Sequence, residues 1–120
     1  MSPRIVVTGK IPSAGLKALK DAGLSPITWD HDHQITRTEL LEFVKGAEVL
    51  ITLLTEKVDD ELLDAVGSQL KAVCNVAVGY NNIDVAACTR RNVRVTNTPG
   101  VLTDATADIA FGLILMVTRR

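Results

Sequence analysis

The 120-residue sequence predicts an α/β protein built on a parallel sheet. Three observations lead there. Short β-branched runs alternate with helical segments along the whole chain. Helix-start signals recur ahead of the helical segments, notably Thr36 with Glu39, Asp59 and Asp84. The runs beginning at Ile5, Val49 and Val73 are apolar without alternation, the pattern of strands covered on both faces.

Taken in order, residues 4–8 read as a first strand and residues 13–22 as a helix, with Ser13 as N-cap and Gly23 as stop signal. Residues 25–29 form a second strand. Thr36 and Glu39 make a capping-box pattern that opens a helix ending near Gly46. Residues 48–53 are a third strand, and Asp59 caps a helix running to about Val66. Residues 71–76 form a fourth strand, Asp84 caps a helix to about Arg91, and residues 94–96 make a short fifth strand. A last helix starts near Thr103. Five strands alternating with helices imply a flavodoxin-like arrangement of order 2-1-3-4-5 with helices on both faces, followed by a C-terminal crossover helix.

Bulk properties narrow the class. A 47% hydrophobic and 22% charged composition is that of a folded globular chain. A formal net charge of −1 offers no footprint for nucleic acid or an anionic membrane. Arg90, Arg91 and Arg94 cluster at a helix end, where basic side chains complement the dipole. Cys74 and Cys88 lack CxxC spacing and read as reduced thiols. The N-terminus has no apolar signal core, and the apolar run from Ile109 to Val117 is too short to span a bilayer. The expectation is a cytoplasmic protein.

The last helix breaks the pattern. From Ile109 to Val117 it is apolar around its circumference, so it should be buried on all sides, and one sheet face covers only half of it. The missing cover is expected from another domain or a second subunit. The chain is accordingly expected to be part of a larger protein and to associate as a homodimer.

Right-handed crossovers place all strand C-termini on one edge, which gathers Thr8-Gly9, Leu54-Thr55, Val78-Gly79 and Asn97-Thr98. Ligands of open α/β sheets bind at that edge. Two segments stand out there: Val76-Ala-Val-Gly-Tyr-Asn-Asn-Ile-Asp84 and Thr96-Asn-Thr-Pro-Gly-Val-Leu-Thr-Asp-Ala-Thr-Ala-Asp108. Each runs from a strand end through small residues into a helix, presenting backbone N–H groups that can hold a small anion. Gly79 suits close backbone approach and an unusual φ. Asp84 and Asp108 read as helix-start carboxylates rather than acid–base groups. Trp29-Asp-His-Asp-His33 lacks structural-zinc spacing, so no metal site is assigned.

These two segments resemble the D-isomer-specific 2-hydroxyacid dehydrogenases, within them the glyoxylate and hydroxypyruvate reductase branch. The resemblance covers the whole chain. It implies that residues 1–98 are an incomplete substrate-binding domain and residues 99–120 the interdomain crossover helix. It also implies that the backbone amides of Val78 and Gly79 hold a substrate carboxylate. Leu54 would supply an apolar pocket wall and Thr55 a hydroxyl. Thr103, which also reads as a helix N-cap, matches a position near the nicotinamide of bound NAD or NADP. Asn81 stands where the family usually has Asp. No G-x-G-x-x-G follows a strand, and the family's catalytic arginine, glutamate and histidine have no matching positions. His31 and His33 are not that histidine.

The implied activity is NAD(P)-dependent reduction of a small 2-oxo acid to a 2-hydroxy acid by the whole protein: glyoxylate or hydroxypyruvate first, then 2-ketogluconate, then phosphohydroxypyruvate. The 120 residues alone should be inactive, with no catalytic residue among them. The alternative on the same scaffold is a dehydrogenase-like corepressor presenting a peptide-binding surface. A receiver-type signalling domain has the same length and topology. It needs an acidic pair after the first strand and an Asp after the third, where this chain has Thr8-Gly9-Lys10 and Leu53-Leu54-Thr55.

Overall fold

The computed structural model describes residues 2–119. Its strands are β1 (Ile5–Val7), β2 (Ile27–Thr28), β3 (Val49–Thr52), β4 (Ala72–Asn75) and β5 (Arg94–Thr96), interleaved with α1 (Ser13–Asp21), α2 (Arg37–Phe43), α3 (Asp60–Val66) and α4 (Val85–Arg90), and followed by α5 (Thr103–Arg119). The sheet order is β2-β1-β3-β4-β5 and every pairing is parallel, as expected from the sequence.

Local chemistry sets most helix ends. Thr36 and Glu39 form the full capping box, and Asp59 and Asp84 accept from the backbone N–H of Leu62 and Ala87. Helix α1 ends on Gly23 at φ +78°, with Gly23 N–H bonded to Lys20 O at 2.9 Å and Leu24 N–H to Leu19 O at 3.0 Å. That pair of bonds is a Schellman closure, which needs the left-handed residue glycine supplies. The start of α1 differs from expectation. Pro12 occupies the cap position, Ser13 is the first helical residue, and no side chain caps the helix. Proline's fixed φ suits entry to a helix, so Ser13 is carried one place inward.

The two sheet faces are covered unequally. On one, Val6, Leu50 and Val73 pack beneath Leu40 of α2, Leu62, Leu63 and Val66 of α3, and Ala87 and Cys88 of α4, forming the core. Right-handed crossovers put α1 on the opposite face, where Ile5 and Val7 are buried. Farther along that face, Val49, Ile51, Ala72 and Cys74 are only half-buried. The unalternating runs therefore match a sheet with two apolar faces of which one is fully covered within this chain.

Helix α5 buries no residue. The expectation that the sheet would cover half of it is not met: Leu113 is 55% and Met116 71% exposed. The helix projects from the sheet and stretches the molecule to 59 × 32 × 27 Å.

Candidate functional site

The parallel sheet delivers the ends of β1, β3, β4 and β5 to one edge, and the loop after β4 is the most elaborately held segment there. Four successive carbonyls in it are taken. Ala77 O accepts from Thr98 N–H at 2.9 Å and Tyr80 O from Ile83 N–H at 3.0 Å. Between them, Val78 O accepts from Asn97 Nδ2 at 2.8 Å and Gly79 O from Asn75 Nδ2 at 3.1 Å. Among the described residues, neither Val78 nor Gly79 donates its own backbone N–H to any acceptor. The turn thus engages its acceptors, three of them on residues at the ends of β4 and β5, and leaves two adjacent donors, the requirement for holding an anion with backbone alone.

Gly79 does this without the unusual φ expected of it; it is not among the glycines with positive φ. Its missing side chain leaves open space instead, since a Cβ there would have Asn81 Oδ1 as its nearest neighbour at 3.9 Å. Glycine's contribution here is access to the backbone.

A buried polar network joins this loop to the one after β3. Asn82 Nδ2 donates to Glu56 O at 2.8 Å and to Leu53 O at 3.2 Å. Its Oδ1 accepts from Asn75 Nδ2 at 3.0 Å, and Thr52 Oγ1 donates to Asn75 Oδ1 at 2.9 Å. The Glu56 carboxylate, in a residue only 3% exposed, accepts from Thr8 Oγ1 and Leu53 N–H at 2.7 Å each. Buried polar groups of this kind are tolerated because their bonding is satisfied; among the described residues no buried side-chain polar atom lacks a partner. Sequence reading missed Asn75, Asn82 and Glu56. For Asn75 the available signal was a polar residue ending an apolar strand run; Glu56 and Asn82 stand in loops, where a polar residue gives no such signal.

The five expected site residues fare differently. Val78 and Thr103 share an open groove with Leu102, Thr106, Ala107 and Ala110, so the start of α5 stands beside the turn. Gly79 borders a neighbouring depression with Tyr80, Asn81 and Val85. Thr55 lies in a separate cleft with Lys10, His31 and Glu56. Its hydroxyl donates to Glu56 Oε1 at 2.6 Å, so the proton expected to be available for a ligand is engaged, leaving only lone pairs. Leu54 is exposed beside it. Thr103 is the first residue of α5 rather than its cap: Leu102 O accepts the first helical bond, from Thr106 N–H at 2.9 Å. The described residues therefore make the parts of a crevice wall, not one enclosed pocket.

Other candidates have structural roles. His31 and His33 gather around the Trp29 ring, and His33 Nε2 lies 3.0 Å from Glu39 Oε1. Arg91 binds Asp60 and Asp64 of α3 at 2.7 and 2.9 Å, and Arg90 approaches Asp60. Burial pushes the Cys88 thiol up, assisted by Asp84 and opposed by Arg91, which makes it a poor nucleophile. Both cysteines are free. No helix among the described residues is long and apolar enough to cross a membrane.

Comparison with known proteins identifies the family and the fold. The model of the D-isomer specific 2-hydroxyacid dehydrogenase catalytic domain matches residues 5–118. A glyoxylate reductase of Thermococcus onnurineus is 45% identical over 120 residues, which is 100% of this chain and 35% of that protein. Among solved structures, the TT0316 protein from Thermus thermophilus superposes with a TM-score of 0.87 at 38% identity, over 98% of this chain and 37% of the other. An NADPH-dependent glyoxylate/hydroxypyruvate reductase from Sinorhizobium meliloti, solved with NADP and malonate, gives a TM-score of 0.69 at 32% identity, over 96% of this chain and 34% of the other. The chain spans 35% of the length of the first of these relatives.

Proposed function

The chain belongs to the D-isomer-specific 2-hydroxyacid dehydrogenases, and from that premise we propose that its turn at Val78 and Gly79 holds the carboxylate of a small 2-oxo acid in a cytoplasmic NAD(P)-dependent reductase. Glyoxylate or hydroxypyruvate is the preferred substrate, ahead of 2-ketogluconate and phosphohydroxypyruvate. One observation carries the reading: two adjacent backbone donors without acceptors, on an exposed turn whose carbonyls are all engaged.

In this proposal residues 1–98 form the substrate-binding domain, still lacking part of its wall, and residues 99–120 the crossover to a nucleotide-binding domain outside this chain. Bound NAD or NADP supplies a hydride to the substrate carbonyl. Thr103, which matches the family's position near the nicotinamide, would stand near that cofactor; it opens α5 in the same groove as Val78. The main cofactor cradle and the proton donor lie elsewhere in the whole protein, so residues 1–120 alone bind rather than turn over. Leu54 would close the apolar side of the substrate crevice. Helix α5 pairs with a second copy or packs on the missing domain.

The test is steady-state kinetics of the full-length protein with glyoxylate and hydroxypyruvate, using NADH and NADPH in turn. Gly79→Val should fold normally, because a Cβ meets no atom nearer than 3.9 Å. It should raise KM for the 2-oxo acid by about tenfold or more and lower kcat, through a displaced carboxylate. Wild-type kinetics for this variant would mean that the carboxylate binds elsewhere.

A further inference from the structure

The donors at Val78 and Gly79 are useful only if their peptide planes are held, and the structure shows what holds them. Val78 C=O and Gly79 N–H are opposite ends of one planar peptide, which is trans like every other described peptide bond. Fixing the carbonyl therefore fixes the direction of the N–H. Ala77 C=O and Val78 N–H are related in the same way. The Ala77 plane is pinned by a backbone donor, Thr98 N–H, which no substitution except proline removes. The Val78 plane is pinned by a side chain, Asn97 Nδ2, at 2.8 Å.

We propose that Asn97 is a positioning residue for substrate carboxylate recognition: by holding the Val78 carbonyl toward the exit of β5, it aims the Gly79 N–H outward into the crevice. The inference rests on the carboxylate reading above and adds the residue that sets it. Asn97 is suited to this because it follows β5 immediately, while the adjacent Thr98 N–H docks the same backbone on Ala77. Facing a carbonyl, the amide must present its nitrogen. A serine is shorter and an aspartate has no proton to give. Asn97 is only half-buried, and its bond to Val78 is solvent-exposed, so its loss perturbs an exposed turn and not the core.

The experiment uses the full-length protein and three variants, Asn97→Asp, Asn97→Ala and Gly79→Val. For each, KM and kcat for glyoxylate, Ki for oxamate as a non-reacting 2-oxo acid mimic, KM for NAD(P)H and the thermal midpoint are measured. Asn97→Ala frees the Val78 carbonyl to water and should raise glyoxylate KM and oxamate Ki by about 3–10-fold, the effect of one ordinary hydrogen bond. Asn97→Asp sets oxygen against oxygen and should raise both by about 10–100-fold, since a repelled carbonyl turns the plane it belongs to. NAD(P)H KM and the thermal midpoint should stay at wild-type values, which a merely structural role would not allow. If both Asn97 variants keep wild-type KM and Ki while Gly79→Val raises them, the positioning role is wrong and the carboxylate site stands. If Gly79→Val is also silent, both fall. If the Asn97 variants raise every constant together and lower the thermal midpoint, Asn97 serves folding and the proposal is overturned.

Discussion

Helices α3 and α5 both carry strings of large apolar side chains, and they meet opposite fates. Seven-residue α3 buries Leu62, Leu63 and Val66 against the sheet, whereas seventeen-residue α5 buries nothing. The longer and more apolar helix is the less used. Hydrophobicity states a demand for cover, and the chain that makes the demand does not always contain the surface that meets it. In α3 the apolar residues occupy one stripe opposite a charged face with Asp60, Glu61 and Asp64, so a single sheet face suffices. In α5 they occupy the whole circumference from Ile109 onward and none is buried, while Val49, Ile51, Ala72 and Cys74 on the sheet are only half-covered.

The largest test of this contrast is a pair of matched truncations. Leu62→Ala removes a side chain with 0% exposure and should cost about 2–5 kcal/mol in urea unfolding. Leu113→Ala, at concentrations that keep the chain monomeric, should cost less than about 0.5 kcal/mol. Comparable losses at the two positions would mean that α5 packs on its own sheet in solution.

The contrast sharpens with association. Two or three large side chains of α5 left in water forgo about 1.5–3 kcal/mol each, so the 120-residue chain should pair through α5 as a homodimer. Sedimentation equilibrium should show the double variant Leu113→Lys, Met116→Lys as monomer where the unchanged chain is dimer. A stable monomer of the unchanged chain at high micromolar concentration, with α5 ordered, would remove the argument from missing cover.

The smallest effect concerns a helix whose end is locally specified. Thr36 backbone N–H, then Thr36 Oγ1 and His33, bring the Glu39 carboxyl down from its ordinary 4.5 to about 2. A carboxyl depressed on folding contributes stability that is fully present above its unfolded pKa and is lost as pH falls through the folded one. Wild-type stability relative to Glu39→Gln should therefore decline between about pH 4.5 and 2, and carboxyl NMR titration should place the midpoint near 2. A Glu39 midpoint at the ordinary value would show that the capping box does not persist in solution.

Much of this protein was determined by sequence alone. The capping box at Thr36, the caps at Asp59 and Asp84 and the stop at Gly23 follow from local rules of which residues cap and which break, and the parallel sheet and its strand order from the fold class that the alternation of strands and helices implies. The position of the turn at Val78 and Gly79 followed too, because parallel strands must deliver their ends to one edge. Family membership was legible in the same two loop segments.

Tertiary structure decided what depends on partners distant in sequence. The Thr55 hydroxyl bonds to its chain neighbour Glu56, but that Glu56 is buried and held by Thr8 rests on a contact between loops after different strands. That Asn97 holds the Val78 carbonyl, and that Asn82 ties its loop to Leu53 and Glu56, requires knowing that β4 lies between β3 and β5, with the exit of β5 against residues 77 and 78. Gly79 shows the division most clearly. Sequence marked the glycine and supplied a conformational reason for it, but the backbone needs no positive φ there. A residue's own torsions are shaped by its neighbours in the chain, whereas the open space that Gly79 preserves is set by everything the fold keeps away from it.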